Sequence, residues 1–148
     1  MRKVLLCAIS LLLTGVASAQ SPAAVRAVQN FGLMGTWAGE CKDEPSPANN
    51  HATYAVTPEG LQLKNAFGEG YDDSIYEIVD ARSTGADKLS LRLVLASDEQ
   101  IVLDVVLMKE NGRIRIWSSN TGDGKSLVKE GVIAAPVNRE TRWSSRCG

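Results

Sequence analysis

"KLSLRLVLA", residues 88 to 96, alternates strictly: Leu89, Leu91, Leu93 and Leu95 take one side, and Ser90, Arg92, Val94 and Ala96 the other. A period of two is that of a strand, because successive side chains leave an extended backbone in opposite directions. The next stretch, "IVLDVVLMK" (101 to 109), repeats the pattern, with Ile101, Leu103, Val105 and Leu107 opposite Asp104, and the "SDEQ" before it forms a turn. In "RIRIWSS" (113 to 119), Ile114 and Ile116 stand opposite Arg113, Arg115 and Trp117, and "ENG" before them supplies a turn of the Asn-Gly kind. These runs predict three meandering strands that share one aliphatic face.

Outward from this centre, further short strands are expected in "GTWAGEC" (35 to 41), "HATYAVT" (51 to 57), "LQLKNAF" (61 to 67), "YDDSIYEIVDA" (71 to 81), "SLVKEGV" (126 to 132) and "RETRWSS" (139 to 145). Turn signals every eight to twelve residues give the rhythm of a sandwich or barrel. The expected architecture is an all-β antiparallel meander of eight to nine strands. One short helix should precede it: Ser21-Pro22 is a start signal, Val25, Val28 and Phe31 follow at near-helical spacing, and Gly32 is a stop. That segment either lies against the fold or serves as a mobile arm.

The N-terminus reads as a secretory signal peptide over residues 1 to 19: Arg2 and Lys3, then the apolar run Val4 to Leu13, then the small-residue box Ala17-Ser18-Ala19. Cys7 falls within that run as filler. Removing 19 of the 148 residues leaves 129, residues 20 to 148, a length that suits one domain. The expected location is periplasmic or secreted, with no membrane span in the mature chain. Loss of Arg2 and Lys3 takes the net charge from -1 to -3, and with no basic run this argues against nucleic acid or an anionic membrane as partner.

Cys41 and Cys147 are then an even pair in an exported chain, most simply a disulfide, closing a loop of just over 100 residues. Each lies four residues after a tryptophan, Trp37 and Trp143. On a strand those positions share a side, so the pattern suggests first and last strands side by side along a closing seam. Nine strands would make the end strands parallel, and eight would make them antiparallel.

Gly35-Thr36-Trp37 after a short helix, followed by a meander and an arginine-bearing last strand, resembles the calycin superfamily of lipocalin-like barrels. The resemblance implies a small closed barrel in which Gly-x-Trp opens the first strand and an arginine from the last strand crosses the tryptophan ring. Arg139 and Arg142 are the positions here that match that arginine. In length the chain is nearer to the small barrels of avidin-like proteins and of bacterial periplasmic metalloprotease inhibitors. It is also similar to exported proteobacterial proteins that carry Gly-x-Trp followed by a cysteine.

Nucleophilic catalysis is poorly provided for: there is one histidine, His51, both mature cysteines are assigned to a disulfide, and no serine lies in a Gly-x-Ser-x-Gly turn. "GDGKS" (122 to 126) lacks the first glycine of a phosphate-binding loop, since Ser119 stands in its place, so it reads as a flexible turn. Glu69, Asp72 and Asp73 lack the spacing of a calcium loop, and no metal or cofactor is expected. Arg92 and Asp104, mid-strand on the mixed face, are candidates to orient a ligand if that face is the interior, with Trp37 and Trp117 as further candidate contacts. The expectation is a non-enzymatic binding protein for a small apolar ligand. The alternative is a protein-interaction module such as a protease inhibitor, with residues 20 to 31 as the inserting arm.

Overall fold

The computed structural model describes residues 21–148. The expected signal peptide, and Cys7 within it, lie outside these. The helix α1 runs over Pro22–Phe31, begun by the Ser21 hydroxyl, which accepts from Ala24 N–H at 3.4 Å, and ended by Gly32 at φ 71°. Its last turn exposes backbone carbonyls, a site that favours a cation. Lys109 meets that need, donating to the Phe31 carbonyl at 2.8 Å and lying over the Phe31 ring. Ala24 and Val28 are buried where α1 crosses the sheet, so this segment is docked and not a mobile arm.

Ten strands follow: β1 (Gly35–Ala38), β2 (His51–Thr57), β3 (Gly60–Ala66), β4 (Ser74–Ser83), β5 (Lys88–Leu95), β6 (Asp98–Glu110), β7 (Arg113–Thr121), β8 (Ser126–Lys129), β9 (Val132–Ile133) and β10 (Ser145–Cys147). They form one antiparallel sheet in the order β10-β1-β2-β3-β4-β5-β6-β7-β8-β9. The count exceeds the expected eight or nine because one strand is split, and the last strand is displaced. A turn at Glu130 and Gly131, with φ 49° and 77°, splits the expected strand 126 to 132 into β8 and β9. The expected strand 139 to 145 is irregular except for single bridges, and pairing resumes only at Ser145.

The sheet does not close into a barrel: β9 and β10 are its two edges and do not pair. Between them run Pro136, which has no N–H to give a ladder, and Asn138 at φ 44°, so this connection cannot continue a strand. Two isolated bridges tie this connection down: Val132 of β9 to Glu140, and Ile114 of β7 to Ser144, the latter exchanging N–H···O bonds of 2.9 and 2.8 Å.

The expected seam is present in altered form. β1 and β10 pair antiparallel, with Thr36 opposite Cys147 and Trp37 opposite Arg146. Trp143 therefore does not sit level with Trp37. Cys41 is not on the strand at all, since β1 ends at Ala38 and the chain folds back beyond Gly39. Cys41 and Cys147 are nevertheless bonded, with their Cα atoms 5.3 Å apart across 106 positions of sequence. The arginine beside the Gly-x-Trp segment is Arg146, whose guanidinium lies against Gly35; it is neither Arg139 nor Arg142.

The aliphatic face is the inner one: Leu89, Leu91 and Leu93 are 0, 1 and 3% exposed. They share a core with Ala24, Val28, Leu33, Trp37, Tyr54 and Ile114. A bulge where Val106 and Leu107 meet β7 adds one residue at Trp117, so Ser119 turns inward where strict alternation from Ile116 would bring Ser118.

Replacing both cysteines, Cys41→Ser with Cys147→Ser, is expected to lower stability by about 4 to 5 kcal/mol through release of the unfolded chain. Urea unfolding of the variant beside the oxidised wild type measures this; equal midpoints would contradict it.

Candidate functional site

The curled sheet holds more inner surface than one ten-residue helix can cover. Toward α1 the interior is filled by Leu33, Trp37, Ile78 and Leu89. Away from α1 it opens into a cavity of about 650 Å³. That size lies within the roughly 300–1,000 Å³ range of small-molecule sites.

The buried hydrophobic members of its lining, Tyr54, Leu63, Leu91, Leu93, Val105, Leu107 and Ile114, form the floor. Each comes from the inward-facing set of its strand, and register places them in rows: Tyr54 opposite Leu63, Leu63 opposite Tyr76, Leu91 opposite Val105, and Val105 opposite Ser119. Small side chains at Ala52 and Ser119 leave the space between these rows unfilled. The exposed members, Pro47, Ala48, Asn50, Arg139, Glu140 and Arg142, mark the mouth.

Two segments make that mouth, and both are held in place. The connection between β1 and β2 is clamped by Asn49, whose amide accepts from Glu40 N–H and donates to the Glu40 carbonyl, each at 2.9 Å. Asn50 donates to the Asn65 side-chain oxygen at 3.0 Å. The segment before β10 is fastened by Thr141, whose hydroxyl donates to the Ile116 carbonyl at 2.7 Å. Trp143 adds to this by stacking between Arg113 and Arg115 at 5.4 and 4.7 Å. Arg142 joins the two segments directly, donating to the Ala48 carbonyl.

Polar groups on the floor are few. Tyr54 is one of them, and burial pushes its pKa far above the ordinary tyrosine value.

None of the four residues anticipated as ligand contacts lines this cavity. Arg92 and Asp104 are cross-strand partners on the convex face, 3.2 Å apart, with side chains 48 and 45% exposed. Such a pair is worth about 0–1 kcal/mol. Trp37 lies in the core beside α1, its indole N–H donating to the Leu33 carbonyl at 2.7 Å. Trp117 faces outward between Lys88 and Arg115.

His51 meets the Asn49 amide at 3.4 Å. Asp73 pairs with Lys64 at 2.8 Å, while Glu69 and Asp72 are exposed, and among the described residues no group of His, Cys, Asp or Glu side chains has the arrangement to hold a metal. The 122 to 126 turn closes on itself: Thr121 donates to the Asp123 carboxylate and accepts from Lys125 N–H. That bond from Thr121, with a second from the Lys125 backbone, holds the Asp123 carboxyl below its ordinary range.

Tyr54 and Tyr76 went unnoticed in the sequence. "HATYAVT" alternates too weakly, with small residues on both faces, to show which one turns inward. Because burial keeps the Tyr54 phenol neutral in the fold while an unfolded chain ionises it near pH 10, stability should fall as pH rises above about 10. Melting temperatures between pH 9 and 11.5 should show a shallower alkaline decline in Tyr54→Phe than in the wild type. Identical slopes would remove Tyr54 as the cause.

No family model matches the chain, and no curated protein matches it. Among solved structures it is similar to Treponema pallidum Tp0751 (pallilysin), with a TM-score of 0.51 and 12% identity over 82% of this chain and 82% of that one. At that identity the likeness is one of β-rich fold alone.

Proposed function

We propose that this chain is a non-enzymatic exported binding protein that holds one small, largely apolar molecule inside a calycin-like curled sheet. The observation that carries the reading is the cavity of about 650 Å³ with a floor of leucine, valine, isoleucine and tyrosine. A space of this size with an apolar floor favours an apolar occupant, which gains by leaving water.

Three further observations support it. The docked α1 closes the interior near Trp37 and leaves the rest open, as a binding fold requires and an inserting arm does not. His51 is engaged by Asn49 and both described cysteines are oxidised, so the side chains best suited to nucleophilic catalysis are occupied. The disulfide and the lack of any described helix long and apolar enough to cross a membrane agree with export to a periplasmic or extracellular space.

Native mass spectrometry of the protein recovered from an exporting host tests the reading. A small bound mass, lost on denaturation, is the expected result. Ala52→Trp, which fills the cavity from a half-buried position, should lose that mass while keeping its fold by circular dichroism. A bare wild-type chain that also fails to take up added apolar probes would refute it.

A further inference from the structure

The mouth of the cavity differs in charge from both its floor and the chain as a whole. Three of the lining residues are arginines, Arg115, Arg139 and Arg142, and one is acidic, Glu140, in a chain whose net charge is -1. Glu140 is already engaged by Arg115 at 3.5 Å, and Arg115 is stacked on Trp143 with its side chain 13% exposed. Arg142 is exposed and held at the mouth by its bond to the Ala48 carbonyl, which leaves its remaining N–H groups available. Arg139 is exposed, and its side chain has no ion-pair or hydrogen-bond partner among the described residues.

Two arginines without a carboxylate partner among the described residues thus belong to the exposed lining above an apolar floor. A guanidinium matches the geometry of carboxylate and phosphate oxygens, which it binds with paired hydrogen bonds. The floor rejects a charge, since desolvating one without a partner is costly, and accepts hydrocarbon. We infer that the ligand is an anionic amphiphile, bound with its hydrocarbon part on the floor and its acidic head group at Arg139 and Arg142. The inference rests on the cavity being a ligand site and adds to that reading the chemical class and the direction of entry, hydrocarbon first.

Calorimetric titration of the disulfide-bonded protein at low salt with dodecanoate, dodecyl phosphate, dodecanol and dodecylammonium tests it. The two anions should bind at least about tenfold tighter than dodecanol, the effect of one charge-assisted contact. The tighter of the two names the head group. The variant R139Q, at a side chain that makes no ion pair or hydrogen bond among the described residues, should bring both anions toward the dodecanol level and leave dodecanol itself unchanged. Should that variant fold poorly, raising the salt on wild type must weaken dodecanoate and not dodecanol, since solvent-exposed charges are screened within about 3 Å at 1 M. Dodecanol binding as tightly as dodecanoate, or dodecylammonium binding tightest, overturns the inference and leaves the apolar cavity standing as a site. Binding of none of the four overturns both.

Discussion

The structure depends on one constraint: a long sheet with a continuous aliphatic face has only a ten-residue helix to cover it. Leucines on β5 and their partners on β6 and β7 must leave water, and α1 packs mainly against β4. Apolar burial is proportional to area removed from water, so the sheet covers the remainder of its own face by curling. Helix and curl divide the interior between them. Where α1, Leu33 and Trp37 reach, it is packed; where they do not, it is the cavity.

Holding that curl without a complete ladder falls to the seam. β9 and β10 leave the edges unpaired, and an unpaired edge invites another chain. Here both edge strands are very short, and the gap is occupied by the segment that bridges Ile114 to Ser144 and Val132 to Glu140. The disulfide from Cys41 to Cys147 then joins the turn after β1 to the last strand, on the side where the mouth-forming connection begins. Fold closure and mouth geometry therefore share the same few contacts, Arg142 to Ala48 among them.

Much of the fold was legible in the residues because it follows from period. Alternation in 88 to 96, 101 to 109 and 113 to 119 located β5, β6 and β7 and most of the face they bury, although Ile101 and Ile116 of that set are exposed, and Ser21-Pro22 and Gly32 bounded α1 to the residue. The end of the chain was misread for an equally local reason. Glu130 and Gly131 turn where a strand was expected, and Pro136 and Asn138 break the ladder that closure would need. The candidate site was misjudged on the mixed face. Polar residues mid-strand drew attention to Arg92 and Asp104, yet two opposite charges level on adjacent strands satisfy each other and face water.

By itself, then, the sequence determined the antiparallel meander, the N-terminal helix, the cysteine pair and the inward leucines, since each depends on spacing between near neighbours or on composition. Tertiary structure alone decided that the ladder stays open, that Arg146 stands beside the Gly-x-Trp segment, and that Tyr54, Arg139 and Arg142 surround one space. Those outcomes depend on how far a sheet curls before its edges meet. Bulges, a turn and the volume of side chains from seven strands set that distance together, and no short stretch of the chain contains their sum.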